Sequence, residues 1–167
     1  MLYFDSKGDL SMSLGDYERS QKVFEALCRD LDSREWKYKK DDDDFKVQFI
    51  VTGNDIPMSV TAVVQDKQQL IAFLSPLQAK YPEDKRQEGA VAVSFINNKL
   101  VDGCFDYDIS DGSILFRLTN SYVDSDMGDE LFSYIVDLSL TMIDEFNDLF
   151  ENLTTGRMTL QELMEKY

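Results

Sequence analysis

Between Leu100 and Leu153 two stretches of alternation meet at a polar turn and lead into one long helix. Val101, Gly103, Phe105, Tyr107 and Ile109 alternate with Asp102, Cys104, Asp106 and Asp108; after Ser110-Asp111-Gly112-Ser113 the alternation resumes with Ile114, Phe116 and Leu118. Successive side chains of a strand point to opposite faces, so the pattern predicts a β-hairpin. The next segment repeats at helical spacing. Leu131, Tyr134, Ile135, Leu138, Met142, Phe146, Leu149 and Leu153 form one stripe, with Phe132, Val136, Ile143 and Phe150 beside it. At ~100° per residue the apolar arc spans roughly 200°, where a core-facing helix needs about 100°. The expectation is a helix that buries a second surface outside its own sheet, and hence a binding or assembling protein.

Upstream, Asp16 offers an N-cap, and Tyr17, Val23, Phe24, Leu27 and Leu31 recur at helical spacing up to Asp32-Ser33. Trp36 is either an interface anchor or a cover for the core edge; it and Tyr38 lead through Lys39, Lys40 and the acidic run 41–44 into a sheet. Three runs, Phe45 to Val51, Ile56 to Val64 and Gln68 to Leu74, predict a meander with turns at Gly53-Asn54-Asp55 and Asp66-Lys67 and an exit at Ser75-Pro76. Pro82-Glu83-Asp84 suits a helix opening. The segment 86–98 fits a helix or a β-branched buried strand; helix is preferred because Asn97-Asn98-Lys99 suits a C-terminal exit, and a helix here would be apolar nearly all round. Gly156 ends the long helix, and Thr159-Leu160-Gln161-Glu162 is a capping box opening a last short one.

The length of 167 residues fits one domain: a flexible lead-in over 1–13, a single α+β unit over 14–154 and a helical appendage over 155–167. Thirty-two acidic against 17 basic residues give a net charge of −15, which repels nucleic acid and anionic membranes. Two cysteines, Cys28 and Cys104, cannot define a disulfide framework, and no signal peptide or spanning segment is evident, so a cytoplasmic location is expected.

The chain contains no histidine, which removes the commonest general base and metal ligand. Asp106, Asp108 and Asp111 superficially suggest a calcium loop, but counted from Asp106 the required glycine is Asp111 and the twelfth-position glutamate is Arg117. Neither Gly53 nor Gly112 belongs to a phosphate-binding glycine set. No catalytic, metal-ligating or cofactor-binding residue is assigned, and no cofactor is expected. Arg117 either receives a partner's carboxylate or pairs with a cross-strand aspartate such as Asp106.

The order helix, three strands, helix, two strands, long helix and short helix resembles that of the YbjN family of bacterial proteins, described as sensory-transduction regulators, and of the related type III secretion chaperone-like fold. The resemblance rests on Phe45-Lys46-Val47-Gln48-Phe49-Ile50-Val51, the Ser75-Pro76 exit, Ile114-Leu115-Phe116-Arg117-Leu118 and the Tyr134 to Phe150 stripe, across residues 16–153. It implies an antiparallel sheet packed by helices and a homodimer without enzymatic activity, with the central helix commonly building the dimer and an unidentified protein or peptide as partner. Candidate interface residues are Val91, Val93, Phe95 and Ile96 of that helix, Phe132, Val136, Ile143 and Phe150 of the long helix, and Arg117. The alternatives are an acidic immunity or inhibitor protein that neutralises a basic toxin by charge, and a carboxylate-dependent metal enzyme motivated only by the density of acids.

Overall fold

Helix α1 (Leu14–Ser33) turns Val23, Phe24, Leu27 and Leu31 inward at the predicted spacing, and it starts before Asp16, which lies in its first turn. The computed structural model describes residues 14–53 and 56–166, so the expected lead-in over 1–13 and the Asn54-Asp55 turn lie outside the described residues. A six-stranded antiparallel sheet follows, built from β1 (Tyr38–Asp41), β2 (Lys46–Thr52), β3 (Pro57–Gln65), β4 (Leu70–Lys80), β5 (Cys104–Asp108) and β6 (Ser113–Ser121) in the order β1-β2-β3-β4-β6-β5. Strand β1 adds to the predicted set: its four polar residues pair with β2 from Tyr38 opposite Phe49 to Asp41 opposite Lys46.

The third run does not leave the sheet at Ser75-Pro76, as the sequence suggested. Strand β4 continues to Lys80 with Leu77 and Ala79 buried. Proline is tolerated because β4 pairs with β3 only as far as Leu74; beyond it β4 pairs with β6 alone, with a register shift between Pro76 and Lys80. A single 3₁₀ turn (Glu83–Lys85) then opens α2 (Arg86–Asn97), so the segment 86–98 is helical.

The expected hairpin is formed by β5 and β6, with Phe105 opposite Phe116 and Asp108 opposite Ser113. Gly112 at φ +81° carries the turn, and a side chain there would collide with the Tyr81 carbonyl, which is why the chain crosses so close to β4. Strand β5 starts later than predicted. Gly103 is left-handed (φ +71°) and a Cβ on it would meet the Phe116 ring, so Val101 sits outside the ladder and is almost fully exposed.

Helix α3 (Asp129–Thr155) follows Gly128 as its N-cap and ends at the left-handed Gly156, as predicted. Thr159 and Glu162 exchange the predicted reciprocal bonds at the start of α4 (Leu160–Lys166), whose Leu163 is fully buried and which packs on α2.

Helices α1 and α3 lie on one face of the sheet and α2 sits beside β5. Helix α3 runs across β3, β4 and β6 and is also covered by α1. That second neighbour accounts for its broad apolar arc. Phe132, Val136, Ile143 and Phe150 are all no more than 1% exposed, and the rings of Phe116, Phe146 and Phe150 surround Phe105. The second surface buried by α3 is therefore inside its own chain.

Two buried polar side chains of α3, Ser139 and Asn147, each carry an oxygen with no hydrogen-bond partner among the described residues. Ser139 is 1% exposed. Ser139→Ala removes an unsatisfied buried group and installs a better helix former. We expect a gain of about 1 kcal/mol, read in urea unfolding as a higher midpoint at unchanged slope.

Candidate functional site

With both helical layers on one side, no helix among the described residues covers the opposite face of the sheet. A continuous cross-strand row runs over all six strands there: Lys39, Gln48, Thr61, Leu74, Arg117 and Cys104 are successive partners. The alternation that buries Val47, Phe49, Val60, Phe73, Phe116 and Phe105 on the helix side turns these residues outward. The row is mixed in character. The Gln48 side-chain amide donates to the Thr61 hydroxyl at 3.3 Å, and Leu74 is half-buried.

Arg117 anchors one end of the row. Its Nε donates to Asp106 Oδ2 at 2.7 Å and its Nη2 to Asp106 Oδ1 at 3.0 Å, a bidentate pair to the cross-strand aspartate. Asp106 hydrogen bonding raises the arginine pKa further. The same Nη2 lies 3.3 Å from Cys104 Sγ. Burial pushes the Cys104 thiol up, and the Arg117 charge only partly opposes it, so this sulfur is protonated at neutral pH. Cys28 is buried and likewise shifted up by desolvation. Both cysteines are free. At the other end of the row a shallow depression of about 560 Å³ is lined by Lys37, Tyr38, Lys39, Gln48, Phe49, Ile50 and Ser59.

A second exposed surface lies on α2. Gln87, Val91, Ser94 and Asn98 are exposed at helical spacing, and all four are uncharged. Phe95 is half-buried beneath the Lys99 ammonium, 5.1 Å from the ring centroid. In the loop after α2, Asp102 accepts a 2.6 Å hydrogen bond from the Tyr134 hydroxyl of α3, next to the exposed Val101.

The nine candidate interface residues separate into two groups. Val93, Ile96, Phe132, Val136, Ile143 and Phe150 are core residues of a single chain, none more than 4% exposed, which corrects their placement on an external interface. The physical reason is the two-sided covering of α3 by the sheet and α1, and the inward face of α2. Val91 is 46% exposed, while Phe95 and Arg117 are half-buried. Trp36 covers the core edge, tilted on Phe49 with the Arg34 guanidinium 5.0 Å above its ring. The expectation that α2 is apolar nearly all round missed this stripe, since three of its four exposed residues are polar and only Gly89, Ala92, Val93 and Ile96 are buried. The Lys37–Lys39 depression was not readable from spacing, because it depends on the pairing of β1.

Among the described residues, no three carboxylates or thiols converge where a metal ion could be held, and no helix is long and apolar enough to cross a membrane. No curated protein matches the sequence. Solved structures that share the fold include the ExsC–ExsE complex (TM-score 0.56, 11% identity, 81% of this chain and 95% of that one), YbjN from E. coli (TM-score 0.56, 13% identity, 80% and 92%), and the HopA1–SchA chaperone–effector complex (TM-score 0.54, 11% identity, 78% and 95%). The sequence profile of YbjN, described as "Putative bacterial sensory transduction regulator", matches residues 24–152, so this chain, with its α+β type III chaperone-like fold, belongs to the YbjN family.

Proposed function

We propose that this chain is a protein-binding regulator or chaperone-like adaptor that acts as a homodimer, by binding and not by catalysis. The observation that carries this reading is the asymmetry of the sheet: one face is enclosed by α1 and α3, and the other presents a row of side chains across six strands with no helix among the described residues over it. Two of the proteins that share the fold were solved in complexes, ExsC with ExsE and SchA with HopA1, the latter a chaperone with its effector. The working unit spans residues 14–154, with 155–167 as an appendage whose helix α4 packs on α2. The two free thiols fit a reducing cytoplasm.

The α2 stripe supports the dimer. A chain of net charge −15 repels its own copies, and Gln87, Val91, Ser94 and Asn98 offer a helical face without charge around an exposed valine. The open sheet face is then left for a partner polypeptide. Thr61→Arg together with Thr119→Arg should leave the melting temperature within a few degrees, because both side chains point outward from the sheet. In affinity capture from the native host, the partner held by the unmodified protein should be lost. Retention of every captured protein by this folded variant would refute the open face as the site.

A further inference from the structure

Strand β1 forms one edge of the sheet, and the stretch Lys37-Tyr38-Lys39-Lys40 is basic in a strongly acidic chain. Lys37 and Lys39 are two residues apart and so share a face. It is the open face, where both line the depression that also holds Gln48, Ile50 and Ser59. Ile50 is 68% exposed there. Both lysines are exposed and have no ion-pair partner among the described residues, whereas Lys40 is held by Asp42 at 2.6 Å and Lys46 lies 3.7 Å from Asp41 and 3.8 Å from Asp44. Three of the four neighbouring acids are therefore engaged, and only Asp43 has no basic partner.

Lysine on an edge strand also discourages pairing between copies. That task alone does not require lysine here, since the acids that dominate the rest of the chain would repel a second copy equally well. What Lys37 and Lys39 do is place two ammonium groups without ion-pair partners among the described residues beside an edge strand and an exposed aliphatic side chain. From this juxtaposition we infer that the β1 corner docks an extended, acidic segment of another polypeptide. The segment lies along β1 with carboxylates two residues apart facing Lys37 and Lys39, at the spacing of directly opposed cross-strand pairs. This inference rests on the reading of the open sheet face as a protein-binding surface and assigns the chemistry of what binds at one corner of it.

The test uses the full chain and three synthetic peptides of about ten residues, the length of a long strand: alternating Glu and Thr, alternating Lys and Thr, and alternating Val and Thr. Fluorescence anisotropy gives the affinities, and amide chemical shifts locate the contact. The Glu–Thr peptide should bind, shift the amides of β1 and weaken as salt is raised to about 0.5 M; the Lys–Thr peptide should not bind. Lys37→Glu with Lys39→Glu should weaken the Glu–Thr peptide by about tenfold or more, and Lys37→Gln with Lys39→Gln by less, both at unchanged melting temperature. Absence of Glu–Thr binding, equal binding of the acidic and basic peptides, or undiminished affinity in the charge-reversed chain overturns the inference. If the Val–Thr peptide binds instead and shifts Thr61, Leu74 and Thr119, the acidic docking site is refuted while the open face stands as a polypeptide-binding surface.

Discussion

Val93→Asp is expected to abolish folding, while Val91→Asp, two residues away on the same helix, leaves the fold intact and converts the proposed dimer to a monomer. Val93 is 4% exposed, so the substitution loses about 1.5–3 kcal/mol of apolar burial and places a carboxylate where its ionised form costs several kcal/mol more. A domain of this kind has only about 5–15 kcal/mol to lose. Val91 is 46% exposed and its aspartate stays in water. In an isologous interface on the uncharged α2 stripe, each copy would bring that aspartate against the same surface of its mate, where like charges oppose association. Circular dichroism distinguishes folded from unfolded, and native mass spectrometry distinguishes one subunit from two. A folded Val93→Asp chain would show that α2 is not core on that side, and a Val91→Asp dimer would place the interface elsewhere.

The contrast between these neighbouring valines shows what spacing can and cannot reveal. The alternation in β5 and β6 led directly to the hairpin, because period two admits one inward face; the pairing of Phe105 with Phe116 is set by the register of the strands. The capping box at Thr159 and the left-handed Gly156 were legible because each is satisfied within a few residues of its own position. The Arg117–Asp106 pair was one of two readings and became definite only with the register of the two strands.

The width of the apolar arc on α3 was also read correctly, but its consequence was not. A one-dimensional pattern measures how much of a helix must be covered and says nothing of what covers it. Here α1 lies on α3 while α3 lies on the sheet, so Phe132, Val136, Ile143 and Phe150 are enclosed without a second subunit. Strand β1 was missed for the complementary reason: Tyr38 to Asp41 is short, polar and at the edge, so it has no apolar face to betray it. Its discovery adds the Lys37–Lys39 corner to the open surface. Protein binding is thus still the best-supported reading, on a different surface: the uncovered sheet face and the outer stripe of α2 replace the buried flank of α3.

The joint between α1 and α3 that encloses this flank contains a buried charge, and Arg34→Ala should be among the most destabilising single substitutions outside the apolar core. Asp30 is 6% exposed; Arg34 Nε donates to its Oδ2 at 2.8 Å and the Ser133 hydroxyl to its Oδ1 at 2.6 Å. Arg34 Nη1 also reaches Asp137 at 2.6 Å and Nη2 the Ser133 carbonyl at 3.3 Å, so one guanidinium ties the end of α1 to the first half of α3. Burial works against the arginine charge, but the bonds to Asp137 and Asp30 outweigh it and raise its pKa. Truncation to alanine leaves the Asp30 carboxylate buried with the Ser133 hydroxyl as its remaining side-chain donor, a loss of about 3–5 kcal/mol. At about 2–4 °C per kcal/mol for a chain of this size, the melting temperature should fall by roughly ten degrees. Adding Asp30→Asn to Arg34→Ala should recover part of that loss, because the cost of the single substitution is mostly the orphaned charge. If the double variant melts lower than Arg34→Ala alone, the clamp is held by packing and not by charge compensation.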